Sequence, residues 1–518
     1  MKVIVIGLDG ASFELLDPWL SAGELPHLQH LIKHGAKGTL ESCLPPTSSP
    51  NWKCYSTGKN PGKLGIFWWR NIDFKNRRIT IPSARIQSKE IWDYISEDGG
   101  KVGIINTPLT YPTKQVNGFM IAGGPDAPDG NYTYPRELES RLKREFKYKV
   151  QEKESEYKVH PPVRSKWWQS EEAVEEALAL MEVRFAVAKA LAQEYELDFL
   201  HLTIFYINSL HHDLWDDEPV LRAWKMIDDN IGVLRQEFKE SNFLIMSDHG
   251  SNEIHQVFYI NTWLERQGYL KTSGSLWLPR LLYRLGLNEE RLFRVAQKLR
   301  LNRVVTKIVP KKIRSNIPSA IGTVELEHKE DKVVWEKSQA LASGQGPLYL
   351  APGEAKLREE IMKKLENLTN PLTKKKIARE VHKREVIYHG EFLPEAPDII
   401  IDQYPHTHIR GSIGKKNIFE KPQRWRGENT TKGIFIASGP DFKEGIEVED
   451  IAILDLAPTI LHQMGLPVPA DMDGEVLSEI FKEGSEPALR AVKYRETEGT
   501  EIQKEKEKSE ENGKDSDD

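Results

Sequence analysis

The chain has 518 residues, 39% hydrophobic and 29% charged, which is enough for a large buried core of about three domain equivalents. Lys and Arg number 72 against 78 Asp and Glu, a net charge of −6 that excludes the strongly basic signature of a general nucleic-acid binder. Two cysteines, Cys43 and Cys54, make neither a disulfide framework nor a thiolate zinc site, and a reducing cytoplasm is the expected setting.

The start, Met1-Lys2-Val3-Ile4-Val5-Ile6-Gly7, is too short and too soon polar for a secretory signal and reads as a first core strand. Further apolar runs rich in Val, Ile and Phe follow at Lys101–Asn106, Asp198–Phe205, Phe243–Ser247, Asp398–Ile401 and Gly433–Ala437. Helical periodicity lies between them, over Leu25–His34, Glu171–Glu194, Val220–Lys239, Ala355–Asn367 and Leu454–Met464. The alternation predicts an α/β sheet covered on both faces. In such sheets ligands bind beyond the carboxyl ends of strands, so Asp9-Gly10, Asn208 and Asp248-His249-Gly250 are the places to search. None of the apolar runs approaches the ~20 residues needed to cross a bilayer.

Asp9 and Asp248-His249 together offer two carboxylates and an imidazole, a ligand set for Zn²⁺, Mn²⁺ or Mg²⁺. Each alone is equally a turn or helix-cap residue. The loop Pro45-Pro46-Thr47-Ser48-Ser49-Pro50-Asn51-Trp52 holds hydroxyls between prolines, either as a nucleophile or as the cap of a helix starting near Asn51. From Arg291 to Arg314 nine bases occur with no acid, inside a stretch of helical spacing. That stretch is either a lid attracting an anionic substrate or an anionic membrane surface, or the solvated face of a helix pair. The last segment, Arg495–Asp518, has ten acids and five bases with Ile502 as its one large aliphatic residue, and is expected to be disordered.

The blocks Gly7-Leu8-Asp9-Gly10-Ala11, Pro45–Trp52, Thr57-Gly58-Lys59-Asn60-Pro61-Gly62, Asp248-His249-Gly250, Gly433–Pro440, Leu454–Leu461 and Pro469-Ala470-Asp471-Met472-Asp473-Gly474 occur in one order. In that order they resemble the type I phosphodiesterase/nucleotide pyrophosphatase family of the alkaline phosphatase superfamily. The resemblance implies an alkaline-phosphatase-like three-layer α/β/α core. The core would run over residues 1–267 and 325–490, interrupted by a mostly helical basic cap over 268–324 and followed by a tail over 491–518. It further implies a two-metal phosphoryl-transfer site. Asp9, Asp248, His249 and the Ser48 hydroxyl would form one metal site. Ser48 would be the nucleophile, and Asn51 would donate its amide to a phosphoryl oxygen. The second site departs from the family pattern. Anchored on Trp215, Asn208 stands where the family has Asp and His212 where it has His. Asn429 stands at a further His position. An Asp/His/His set has become Asn/His/Asn, which binds a divalent ion more weakly. One tight ion, zinc or manganese, is therefore expected, with a weak or absent second. His211, His255, His406 and His408 could supply replacement ligands but read more simply as solvated loop residues. The expected function is a metal-dependent hydrolase of an anionic phosphoester acting through a phosphorylated Ser48, with no nucleic-acid partner. The alternatives are a one-metal transferase and a silent phosphate-binding protein.

Overall fold

The computed structural model describes residues 1–81, 88–125, 127–150, 171–273, 281, 332–423 and 425–496. The largest sheet among them has nine strands. Their order is Ile446–Ala452, Gly35–Glu41, Lys432–Ser438, Asn242–Met246, Val3–Leu8, Phe199–Ile204, Val102–Ile105, Gly118–Ile121 and Thr133–Tyr134. Val3–Leu8 lies at the centre, parallel to both of its neighbours and buried at every position. Its side chains alternate between the two faces. Ile4, Ile6 and Leu8 join one apolar cluster with the helices Pro26–Lys33, Glu171–Tyr195 and Glu218–Glu237. Val3 and Val5 join another, with Ser48–Thr57, Ile91–Glu97 and Leu456–Met464. The two clusters make the three α/β/α layers, which is why the first strand reads as a continuous apolar run.

Four strands of this sheet lie outside the predicted runs: Gly118–Ile121 and Thr133–Tyr134 at one edge, and Gly35–Glu41 and Ile446–Ala452 at the other, where exposed positions interrupt the buried ones. The predicted run at Asp398–Ile401 is a strand, Ile399–Gln403, but it lies outside the central sheet. It belongs to a second, antiparallel sheet with Ala340–Ala342, Pro347–Leu350 and Ala378–Lys383. A short apolar run marks a buried strand without saying which sheet buries it.

The basic segment Arg291–Arg314 lies outside the described residues, as does almost all of 268–324. Its flanks are hydrogen-bonded to each other, Ser273 N to Lys332 O at 2.7 Å and Val334 N to Lys271 O at 2.8 Å, so the chain leaves and re-enters at one place. The segment 491–518 begins inside the fold: Tyr494–Arg495 pairs in parallel with Val468–Pro469, and the Arg495 guanidinium sits 4.2 Å from the centre of the Tyr94 ring. Residues from 497 onward lie outside the described residues. Among the described residues no helix is long and apolar enough to cross a membrane.

A buried ion network joins the helix that begins at Ser48 to the helix beside it. Lys53 Nζ donates to Glu90 Oε1 at 2.6 Å, Lys114 Nζ to Glu90 Oε2 at 2.8 Å, and Ser56 Oγ to Glu90 Oε1 at 2.9 Å. Glu90 also caps Ile91–Glu97 in a capping box with Asp93. Burial pushes the Glu90 carboxyl up, but Lys53 and Lys114 outweigh it and hold the group at about 2 against an ordinary 4.5. A depressed carboxyl stabilises the fold above its unfolded pKa and loses that contribution as pH falls through the folded value. Glu90→Gln should therefore cost on the order of 3–5 kcal/mol at neutral pH, because it strands the buried Lys53 ammonium. Denaturation measured from about pH 7 down to about pH 2 should show the gap between the two proteins closing. A difference at pH 7 below about 1 kcal/mol would show that the network is dispensable.

Candidate active site

Val3–Leu8 and Asn242–Met246 run side by side in parallel, with Gly7 opposite Met246, so Asp9 and Asp248-His249 emerge together at their carboxyl ends. On the other side, Phe199–Ile204 leads into the helix Tyr206–Leu214, which carries Asn208 and, one turn later, His212. The Pro-rich loop crosses above and enters the helix Ser48–Thr57 with Ser48 as its first residue. A helix N-terminus is a favourable place for an anion.

Ser48 Oγ donates to Asp9 Oδ1 at 3.3 Å and lies 3.1 Å from His249 Nε2. His249 Nε2 is 3.3 Å from Asp248 Oδ2 and 3.8 Å from Asp9 Oδ1. Asp9 accepts from Trp52 Nε1 at 2.9 Å and from Asn208 Nδ2 at 2.8 Å. Gly10 N donates to Asp248 Oδ1 at 3.2 Å. Gly10 has φ +68°, and a Cβ there would fall 2.4 Å from Asn208 Oδ1, so only glycine admits this close approach. A Cβ on Gly7 would likewise strike the Trp52 ring that anchors Asp9.

Burial and then the neighbouring Asp248 charge push Asp9 up to about 8, while burial pushes Asp248 up to about 7 and His249 down. One ligand atom from each of the three lies within 4.8 Å of the others. Asp248 Oδ2 is buried and makes no hydrogen bond. Two carboxylates whose ionisation burial disfavours, an orphaned carboxylate oxygen and an imidazole whose charged form burial disfavours are the donor set a divalent cation satisfies, so the residues fit such an ion. A second group of candidate ligands, His27, Asp228 and Asp229, is different in kind. Asp228 there accepts from the backbone N–H groups of His27 and Leu28 and serves as a helix cap.

The remaining predicted residues are arranged differently. Asn51, expected to donate to a phosphoryl oxygen, is wholly buried and committed to its own loop. Its amide donates to the carbonyls of Cys43, Pro45 and Thr47, and its oxygen accepts from Cys43 N. It holds the loop that presents Ser48. Asn208 points an amide hydrogen at Asp9. His212 Nδ1 lies 2.7 Å from Gly427 O. Asn429 pairs with Ser251 across a two-stranded ladder, and Ser251 Oγ donates to Asn208 Oδ1 at 3.4 Å. His211 and His408 are not solvated loop residues. His211 is buried with its Nε2 accepting from Trp224 Nε1 at 3.0 Å, and His408 is buried against Glu428 and Trp425. His255 and His406 stack on each other, 4.3 Å between ring centres, nearer the surface.

The sequence model described as type I phosphodiesterase / nucleotide pyrophosphatase matches residues 3–433. The chain belongs to that family. Its fold is the alkaline-phosphatase-like fold, and it is an enzyme of the phosphoester hydrolase class. Among solved structures it is similar to human ectonucleotide pyrophosphatase/phosphodiesterase 5, with a TM-score of 0.52 and 14% identity over 93% of this chain and 100% of that one. The murine protein gives 0.51 and 13% with the same coverage. Phosphonoacetate hydrolase from Sinorhizobium meliloti, in complex with phosphonoformate, gives 0.54 and 15% over 88% of this chain and 94% of that one. At these identities the likeness is one of fold. No curated protein matches the chain significantly. Within this phosphodiesterase-family fold, Trp52 was the contributor that motif reading missed. Its position four residues after Ser48 puts both on one helix, which was the available signal.

Proposed function

We propose that the chain hydrolyses phosphodiesters through a phosphorylated Ser48, with one tightly held divalent ion at Asp9, Asp248 and His249 and a second position altered by Asn208 and Asn429. The contact of Ser48 Oγ with Asp9 and His249, with Asp248 beside His249, supports this reading most directly. A divalent ion held there supplies Lewis acidity, lowering the pKa of a hydroxyl and neutralising phosphoryl charge. The donor set suits Zn²⁺ or Mn²⁺.

The chain's own part is positional. Asn51 fixes the loop, Trp52 and Asn208 orient Asp9, and Gly10 N orients Asp248. Ser48 Oγ, having lost its proton, forms a bond to phosphorus as the P–O bond to one alcohol breaks. That alcohol leaves with the electron pair and takes up a proton. Water then cleaves the Ser48–phosphorus ester, releasing a phosphomonoester and restoring the hydroxyl. The phosphorus-containing ligands of the similar structures, AMP in an inactive murine variant and phosphonoformate in the bacterial hydrolase, agree with an anionic phosphorus centre in the substrate.

Elemental analysis of protein purified without chelator should find about one divalent ion per chain. Chelation should lower bis-p-nitrophenyl phosphate turnover by about 100-fold or more, and Zn²⁺ or Mn²⁺ should restore it. Asp248→Asn should lose the ion while remaining folded. Full turnover in metal-free protein would overturn the reading.

A further inference from the structure

A cavity of about 320 Å³ is walled by Pro46, two residues before Ser48 in the loop, and by Ser251, the ladder partner of Asn429. Its size suits a small ligand. Its charges cancel: Glu14 and Asp402 face Arg379 and Lys432, and Arg379 Nε is already bonded to Asp402 at 2.5 Å. Neither a second anion nor a cation gains a net field there. Hydroxyl and amide side chains make up most of the rest of the wall, so a ligand with hydrogen-bonding groups finds partners there. Of the two aromatic residues, Phe13 already carries the Lys37 ammonium 4.0 Å from its ring centre. Tyr404 remains as one half-exposed ring face.

Two wall residues carry unpaired polar atoms. Gln403 is 9% exposed; its Oε1 accepts from Ile409 N at 2.9 Å while its Nε2 has no partner. Asn429 is 5% exposed and its Oδ1 has no partner. Orphaned buried groups cost about 1–3 kcal/mol each and call for a ligand. One is a donor and the other an acceptor, and hydroxyls are the groups that both accept and donate.

We propose that this cavity is the subsite for one alcohol half of the phosphodiester, and that this alcohol is a polyol, a sugar or cyclitol ring, held by Gln403 and Asn429 with Tyr404 against its C–H face. The position follows from the altered second site. A histidine at 429 would direct an imidazole to the metal, whereas asparagine leaves an amide for a substrate hydroxyl. The proposal rests on the hydrolase reading of Ser48.

The test compares methyl p-nitrophenyl phosphate with the p-nitrophenyl phosphodiesters of glucose and of myo-inositol. Saturation-transfer NMR with free glucose and free myo-inositol is the second measurement. A polyol ester should exceed the methyl ester in kcat/KM by at least ~30-fold, because a site built for hydroxyls discriminates against an analogue lacking them. Gln403→Met and Asn429→Leu, checked by melting temperature, should each reduce that ratio about tenfold and weaken the NMR transfer. Equal kcat/KM for methyl and polyol esters, with no transfer, would overturn the subsite and leave the hydrolase standing. Transfer that Gln403→Met abolishes, without turnover of any ester, would keep the subsite and overturn the hydrolase. Absence of both turnover and transfer would overturn both.

Discussion

Ser48→Ala should yield a folded protein that has lost phosphodiester turnover by about 10⁴-fold or more. The hydroxyl makes two polar contacts, to Asp9 and His249, so its removal should cost only about 1–2 kcal/mol of stability. The adjacent hydroxyl, Ser49 Oγ, donates to Trp68 O at 3.4 Å. The substitution also leaves Asp9, Asp248 and His249 in place, so metal content should be unchanged while chemistry stops. That separation of metal binding from turnover is the informative result. Rapid quench of the wild-type reaction followed by peptide mass spectrometry should find phosphorus on Ser48 and nowhere else in the loop. A variant keeping more than a tenth of the rate would show that water attacks phosphorus directly, and that Ser48 only orients it.

The order of motifs singled out Asp9, Ser48, Asp248 and His249, which the fold brings together: Asp9 and Asp248-His249 follow strand ends, visible as apolar runs that stop, and Ser48 follows the Pro-rich loop. Hydrogen-bond partners are not visible in this way. Asn51 occupies a recognisable position, yet three carbonyls of its own loop claim its amide, and only the loop's path reveals that. His211 and His212 are adjacent in sequence. A helix turns neighbours about 100° apart, so one faces the Trp224 core and the other Gly427. Glu90 looks like an ordinary cap from its place before an apolar helix. Its second task, neutralising Lys53 and Lys114, depends on a contact between residues 37 apart in sequence. The strand Gly35–Glu41, paired on both sides by Lys432–Ser438 and Ile446–Ala452, was hidden because Gly35, Lys37, Gly38 and Glu41 interrupt any apolar run.

The paired change Asn208→Asp with Asn429→His should raise the metal content from one divalent ion to two. In the wild-type protein Asn208 Nδ2 donates to Asp9 Oδ1 at 2.8 Å, so an amide hydrogen supplies the partial positive charge that a second cation would supply. A carboxylate in its place would bring two like charges into contact, and the metal-free single variant Asn208→Asp should be destabilised by a few kcal/mol. Zn²⁺ should recover that loss, giving a larger rise in melting temperature than in the wild type. Asn429→His adds an imidazole beside His212, whose Nδ1 faces Gly427 O, so that a carboxylate and two imidazoles would again be available. With charge on both sides of the phosphoryl group better neutralised, generic diesters should be cleaved about tenfold faster. The same histidine removes the Asn429 acceptor from the neighbouring cavity, so any preference for a polyol ester should fall as the generic rate rises. Each single change should give less of both effects. Two tightly held ions in the wild-type chain would sink the idea, because the amides would then be acting as ligands. Two ions in the double variant with slower hydrolysis would point elsewhere. The Asn208–Asp9 contact would then be a device that disfavours water at the Ser48 ester, and the protein would be a transferase passing the phosphoryl group to another alcohol.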